Sequence, residues 1–198
     1  MKLYITTPSP FARKCRIVAR EKGLAGRIEE IAVDPYANAP ELLASNPVVQ
    51  VPTLIADDGL PVTDSPVICE YLDAVGTGPR LLPAEGPGWL RVRRLETLGN
   101  AALEMGVKLV LEKRRPEAER SPSWIARWTV NMGRALDALE AADPKADDLD
   151  MGVITAGVAV SWISFRHPDY DWKSGRPRLV ALQAALEARP SFVETRPE

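Results

Sequence analysis

The sequence contains few of the side chains from which reactive centres are often built. Its 198 residues include one histidine, His167, and two cysteines, Cys15 and Cys69. A single histidine excludes a metal site built from several imidazoles. Since His167 lies in the polar run Arg166-His167-Pro168-Asp169, we expect an exposed loop position rather than a catalytic base.

The two cysteines are far apart in the sequence and form no Cys-x-x-Cys pair. A disulfide framework is therefore not expected, and reduced thiols of the cytosol fit this pattern. Cys15 follows Phe11 by four residues on an apolar helical face, so we predict a thiol packed in the core and not a nucleophile. The same interpretation applies to Cys69 on a second helix.

The sequence also lacks a strong net charge and a long hydrophobic run. A formal net charge of −2 gives no general reason to expect binding to nucleic acid or to an anionic membrane. The start, Met1-Lys2-Leu3-Tyr4-Ile5, is too short in apolar residues for a signal peptide. The longest apolar run, from Met151 to Phe165, is too short for a membrane span. These features predict a soluble cytoplasmic protein.

A strand followed by a Ser-Pro helix start opens the chain. Leu3-Tyr4-Ile5 predicts a strand, and Pro10 suits the first position of a helix that ends before Gly23. Ser9 then falls at the N-cap, where its hydroxyl accepts a free backbone N–H. A hydroxyl at the positive end of a helix can also hold an anion or a thiolate. On its own, a serine in this position is usually only a cap.

The next part of the chain predicts short strands and a second helix. Residues 27–33 alternate in part and indicate a strand, whereas 46–52 contain two prolines that preclude a long regular element. Two apolar runs flank Asp57-Asp58-Gly59 and predict a hairpin. Asp64-Ser65-Pro66 repeats the Ser-Pro start, with Ser65 as the expected cap of a helix that ends at Gly76.

The character of the chain changes after this helix. Residues 78–88, rich in glycine and proline, predict a linker between a first domain over 1–77 and a second over 89–198. The second domain contains only helical patterns, over 89–115, 123–142, 151–165 and 179–188. The run over 151–165 is apolar on nearly all sides, as expected for a central buried helix.

These motifs together resemble the glutathione S-transferase family. The resemblance rests on four pieces in the right order and covers essentially the whole chain: Ser9-Pro10-Phe11-Ala12-Arg13-Lys14, Asn46-Pro47 leading to Val51-Pro52, Asp64-Ser65-Pro66 with Glu70-Tyr71-Leu72, and Arg189-Pro190-Ser191-Phe192. It implies an α/β thioredoxin-like N-terminal domain of order βαβ-ββα, followed by an all-α helical domain.

The resemblance also implies a site for glutathione as co-substrate, without a metal. Ser9 would stabilise the glutathione thiolate, with Thr7 as the reserve candidate and Tyr4 a weaker one. Asp64 and Ser65 would bind the γ-glutamyl ammonium and carboxylate. Val51 would pair with the cysteinyl backbone before a cis Pro52.

The resemblance implies two further contacts and one departure from the family pattern. Gln50 would contact the glycyl end of glutathione. The wall of the second-substrate pocket would include Met105 and Lys108 on the long helix. The capping box of the buried helix is changed, because Asp148-Leu149-Asp150-Met151 lacks the final Asp, and we expect Asp148 to cap instead.

The implied activity is conjugation of glutathione to a small hydrophobic electrophile, or reduction of that electrophile with glutathione, as in detoxification. The resemblance also implies a homodimer. Two alternatives stay open. One is a glutathione-dependent thiol reductase or peroxidase, which the serine at position 9 in place of a cysteine disfavours. The other is a non-catalytic, transferase-like module for protein–protein contact, which the presence of Ser9, Asp64 and Ser65 disfavours.

Overall fold

A four-stranded mixed sheet organises the first part of the chain in the computed structural model, which describes residues 1–197. The strands are β1 (Lys2–Ile5), β2 (Glu29–Ala32), β3 (Thr53–Ile55) and β4 (Pro61–Thr63), in the order β2-β1-β3-β4. β1 and β2 are parallel, whereas β3 is antiparallel to both β1 and β4. The parallel strands β1 and β2 need a long crossover, which the first helix provides. The antiparallel strands β3 and β4 need only the predicted Asp-Asp-Gly turn.

Eight α-helices complete the described chain. Three accompany the sheet, and the others follow it: α1 (Pro10–Glu21), α2 (Pro40–Ser45), α3 (Ser65–Val75), α4 (Gly86–Arg114), α5 (Pro122–Ala142), α6 (Met151–Arg166), α7 (Pro177–Glu187) and α8 (Pro190–Val193). This order confirms the predicted thioredoxin-like arrangement with a helical C-terminal region. None of these helices over residues 1–197 is both long and apolar enough to cross a membrane.

The chain divides into two units, residues 1–82 with the segment from 190 onward, and residues 83–189. In the first unit α1 packs against α3, and the core includes Leu3, Leu54 and Ile68, which are fully buried. In the second, α4 packs against α5 and α6. Most of α6 is buried, as its sequence predicted.

A buried ion pair joins the end of α1 to α3, and the carboxylate of the pair also holds the segment that follows α3. Lys22 and Asp73 are each 1% exposed, and Lys22 Nζ lies 3.0 Å from Asp73 Oδ1. The Asp73 carboxylate also accepts hydrogen bonds from the backbone N–H groups of Leu81 and Leu82, at 2.9 and 3.1 Å. Residues 78–82, assigned to a linker from composition, are therefore packed into the first unit.

The segment from residue 190, predicted as part of the helical domain, makes contacts with α1. α8 packs on α1, where Ser191 Oγ donates to Glu21 at 2.6 Å and Arg13 donates to the Phe192 carbonyl at 3.2 Å. Composition could not show this, because the contacts join residues 170 and 179 positions apart. The division into domains over 1–77 and 89–198 stays a prediction.

The buried helix α6 begins at a different aspartate from the one predicted. Asp150, not Asp148, is its N-cap, and Asp150 Oδ1 accepts from the Val153 N–H at 2.8 Å. Asp150 also forms an ion pair with Arg91 of α4, which ties it to the helix that α6 packs against. A carboxylate two residues earlier, at an exposed position, has no such partner among the described residues.

His167 is buried rather than exposed in a loop. It ends α6, is 4% exposed, and its Nε2 lies 3.0 Å from the Gly106 carbonyl of α4. Its ring also meets the Trp162 ring edge-on at 5.8 Å. The polar run around it misled the sequence interpretation, because α6 extends to Arg166 and turns the imidazole toward α4. Burial lowers the pKa of His167 below its usual value.

The lowered pKa predicts a loss of stability in mild acid. Above about pH 7 the His167 imidazole is neutral in both the folded and the unfolded chain, so its burial costs no deprotonation and the free energy of unfolding is at its full value. As the pH falls below about 6.5, the unfolded chain binds a proton that the folded chain resists, and the free energy of unfolding decreases. Urea unfolding of the wild type and His167→Gln at pH 7.5, 6.5 and 5.5 measures this. The wild type should lose more stability than the variant, and parallel losses would contradict the assignment.

Candidate functional site

The register of the sheet gathers three loop segments at one edge. Tyr4 of β1 pairs with Thr53 of β3, which in turn pairs with Thr63 of β4. This row lies next to the end of β1, at the start of β3 and at the end of β4. Residues 6–9, 51–52 and 64–65 therefore leave the sheet at the same edge. Because strands lie about 4.8 Å apart, the row is about 10 Å wide.

Ser9 is the N-cap of α1, as the sequence predicted. Its backbone is extended, with φ −75° and ψ 122°, and Oγ accepts from the Ala12 N–H at 3.2 Å. This bond uses a lone pair of the half-buried oxygen and leaves its hydrogen available. Within the described chain no group accepts that hydrogen, so Ser9 can cap α1 and still donate to a ligand. The positive end of the helix dipole adds to the attraction for an anion.

The two other candidates for this role differ in exposure. Thr7 is exposed in the same turn between β1 and α1. Tyr4 is part of β1 and only 7% exposed. Ser9 therefore stays the first candidate for stabilising a bound thiolate, and Thr7 stays the reserve candidate.

The Val51–Pro52 peptide is cis, as the resemblance implied. Val51 is half-buried, and its backbone N–H and C=O have no hydrogen-bond partner among residues 1–197. A free donor and acceptor on one residue beside a sheet can pair with an extended peptide backbone. The preceding Gln50 has an exposed side chain, and its carbonyl is bonded within the loop.

The start of α3 differs from the predicted one by one residue. Asp64 is the N-cap, and Ser65 is the first residue of the helix. The Asp64 carbonyl accepts the N–H of Ile68 at 2.9 Å, while its exposed carboxylate caps nothing. Ser65 is 2% exposed, and nothing in the described part of the protein bonds to its hydroxyl. The N-terminal end of α3 therefore offers a carboxylate, a hydroxyl and free amides to a ligand that carries both a positive and a negative charge.

The two cysteines meet beneath this helix start. Cys15 and Cys69 are fully buried, their sulfurs lie 3.7 Å apart, and no disulfide joins them. Cys15 Sγ is also 3.8 Å from the Ser65 carbonyl oxygen. Burial, reinforced by Cys69, raises the pKa of the Cys15 thiol well above its usual value. Both thiols are packed, as predicted, and Cys15 is unsuited to nucleophilic attack.

The predicted second-substrate residues lie in the other unit. Met105 is half-buried and Lys108 is exposed, both on α4. Their contribution to a pocket stays a prediction. No group of three or more His, Cys, Asp or Glu side chains that could hold a metal ion occurs within residues 1–197.

Sequence reasoning missed the burial and the hydrogen bonds of two polar residues beside the site, although Asn46 stands in one of the motifs of the resemblance. Asn46 is 2% exposed and Thr53 is fully buried, and they bond to each other and to the Gln50 carbonyl. The two prolines beside them predicted an irregular segment without showing what holds it.

A thioredoxin-like unit with these three segments at one edge of its sheet leads to a known family. Residues 8–75 match the family model of the glutathione S-transferase N-terminal domain. The chain is 34% identical over 201 residues to the uncharacterized GST-like protein YibF of Escherichia coli (strain K12), covering 100% of this chain and 98% of YibF. The chain belongs to the glutathione S-transferase family.

Solved structures agree with this membership over the full length. A glutathione transferase family member from Pseudomonas fluorescens Pf-5, with bound glutathione, has a TM-score of 0.95 and 31% identity, covering 100% of this chain and 98% of its own. A glutathione S-transferase from Methylobacterium radiotolerans JCM 2831, in complex with glutathione sulfonate, has a TM-score of 0.89 and 35% identity. The second comparison covers 99% of this chain and 94% of the other.

The backbone at Asp64 allows a test of the helix start. Its φ of 69° with ψ of 129° is disfavoured for any residue with a Cβ atom. Because neither variant has the carboxylate, Asp64→Gly and Asp64→Ala differ only in this backbone preference. We expect Asp64→Gly to be more stable than Asp64→Ala by about 1 kcal/mol. Urea unfolding of both measures the difference, and equal stabilities would show that the turn relaxes without cost.

Proposed function

We propose that the protein is a glutathione transferase that binds glutathione at this edge of the sheet and stabilises its thiolate with Ser9. The observation that carries the proposal is the set of hydrogen-bonding groups there that are not used within residues 1–197: the Ser9 hydroxyl hydrogen, the Val51 backbone, and the side chains of Asp64 and Ser65. Related proteins with bound glutathione or glutathione sulfonate support it.

Each part of glutathione has a chemically matched group in this arrangement. The γ-glutamyl carboxylate accepts from the Ser65 hydroxyl and the first amides of α3, and the ammonium pairs with Asp64. The cysteinyl backbone pairs with Val51, which directs the sulfur toward Ser9. Gln50 is left for the glycyl carboxylate. An extended tripeptide is about 10 Å long, which matches the width of the row of strands.

The Ser9 hydroxyl donates to the thiolate and so favours ionisation. A thiol with a pKa of about 8.5 is roughly 3% ionised at pH 7, and one at about 6.5 is roughly three-quarters ionised. Because a less basic thiolate is also less nucleophilic, about tenfold of this gain is lost over two units. Deprotonation therefore contributes a few-fold, and the larger part of catalysis must come from holding the electrophile beside the sulfur.

The second substrate that we propose is a small electrophile bound near Met105 and Lys108. Met105 offers apolar contact, and the exposed ammonium of Lys108 suits a carboxylate on the electrophile. The family member from Pseudomonas fluorescens Pf-5 has also been solved with bound S-(propanoic acid)-glutathione. Unsaturated and halogenated short-chain acids therefore belong in a substrate screen beside neutral halides and epoxides.

A thiol reductase is a weaker alternative on structural grounds. That reaction requires an accessible nucleophilic cysteine, and Ser9 occupies the candidate position. The nearby Cys15 is fully buried with a raised pKa. The transferase reaction needs no protein thiol, so it fits both facts.

Removal of the Ser9 hydroxyl tests the proposal. Calorimetry should first show that the wild type binds glutathione. Ser9→Ala should then raise the pKa of the bound thiol by about one to two units, the equivalent of one charge-assisted hydrogen bond, with nearly unchanged affinity. The thiolate absorbance of bound glutathione, titrated across pH, gives this value, and turnover at neutral pH should fall with it.

Two further variants separate donation from capping. Ser121→Ala removes the same kind of cap from α5, where Ser121 Oγ accepts from the Trp124 N–H at 3.5 Å. It should cost about 1 kcal/mol of stability, as Ser9→Ala also should, without moving the thiol pKa. If Thr7→Ala moves the titration and Ser9→Ala does not, Ser9 is only a cap.

We also propose a homodimer. The ammonium of a bound γ-glutamyl group has room for a second contact beside the exposed Asp64, and a partner subunit would supply it. On the same helix Val67 is 53% exposed, an apolar surface that association would cover. Sedimentation at micromolar concentration should give one species near twice the chain mass of 21.7 kDa. A monomer at that concentration would refute this part of the proposal.

A further inference from the structure

We propose that Asn46 and Thr53 are positioning residues, which hold the Val51 backbone ready to bind the cysteinyl part of glutathione. The inference rests on the proposed function and adds two residues that do not touch the substrate themselves. Asn46 is at the C-terminal end of α2, and Thr53 is the first residue of β3. The loop between them contains both Gln50 and Val51.

Every polar atom of the Asn46 side chain is used inside this loop. Nδ2 donates to the Gln50 carbonyl at 3.1 Å and to Thr53 Oγ1 at 3.0 Å, and Oδ1 accepts from the Val48 N–H at 3.2 Å. Thr53 Oγ1 donates in turn to the Gln50 carbonyl at 2.8 Å. The Gln50 carbonyl therefore accepts two hydrogen bonds, both from buried side chains.

The loop needs these bonds, because its backbone is not one that its residues prefer. Val49 has a φ of 51°, in the left-handed region that β-branched residues avoid. Its N–H donates to the Asn46 carbonyl at 2.9 Å, so the same residue fixes the disfavoured turn through its main chain. A sparsely populated conformation persists only where surrounding contacts determine it, and here they come from Asn46 and Thr53.

These hydrogen bonds also orient the peptide group between Gln50 and Val51. With its carbonyl bonded inward, Gln50 fixes the orientation of the peptide that it shares with Val51. The Val51 N–H belongs to this peptide and has no partner in the described chain, so it is held in place before a ligand arrives. The Val51 C=O, also unpartnered there, lies in the following cis peptide, between this peptide and Thr53. Such preorganisation raises affinity, since less conformational freedom is lost on binding.

The test uses Thr53, because the more central Asn46 is harder to change without loss of the fold. Thr53→Val keeps the shape of the side chain and removes the hydroxyl, whereas Thr53→Ser keeps the hydroxyl. Thr155→Val is a matched control in the other unit, where Thr155 Oγ1 is buried and donates to the Met151 carbonyl at 2.7 Å. Calorimetry gives the Kd for glutathione of each folded variant, and the thiolate absorbance gives the pKa of the bound thiol.

We expect Thr53→Val to weaken glutathione binding about 2- to 10-fold, the equivalent of one net hydrogen bond. Thr53→Ser should restore most of this loss, and Thr155→Val should leave the Kd unchanged. The bound thiol pKa should stay the same in all three, because Ser9 is untouched.

The possible failures are distinguishable. A wild type that does not bind glutathione overturns the proposed function, and this inference with it. A wild type that binds, together with an unchanged Kd for Thr53→Val, overturns only the positioning role. Equal losses in Thr53→Val and Thr155→Val would also overturn it, since the effect would then be one of general stability.

Discussion

The three residues of β3 are the constraint on which the rest of the first unit depends. This strand stands between β1 and β4, and its pairing with both determines which residues stand at the edge of the sheet. A shift of one residue would exchange the two faces of the strand and expose Leu54, which is fully buried. It would also move the cis peptide and Thr53 away from the turn after β1. Folding and the assembly of the site thus depend on one short register.

The sequence predicted the elements well where local chemistry decides them. Ser9 and Pro10 mark a helix start through capping geometry alone, and Asp57-Asp58-Gly59 marks a hairpin through turn preference. The order of such signals gave strands and helices followed by helices alone, and the family resemblance gave the thioredoxin-like class. The roles of Ser9, Asp64 and Ser65 came from a family resemblance instead, since a capping serine has the same local pattern whether or not a ligand binds there.

What sequence reasoning missed was decided by contacts between distant residues. His167 looked exposed because its neighbours are polar, yet its burial depends on Gly106, 61 positions earlier. The true cap of α6 is the aspartate that Arg91 of another helix can reach, and two nearby aspartates were equivalent on local grounds. The proximity of Cys15 and Cys69 depends on how α1 and α3 pack, which their spacing of 54 residues does not reveal.

The buried pair of Lys22 and Asp73 has a consequence for how the chain can be divided. A charge removed from water is tolerated only while its partners are present, and two partners of Asp73 are the amides of Leu81 and Leu82. A fragment cut after the last turn of α3 would leave that carboxylate without these donors and would expose the apolar surface that the two leucines cover. A fragment of the first unit that keeps the partners of this carboxylate therefore continues into the stretch assigned to a linker, to at least residue 82.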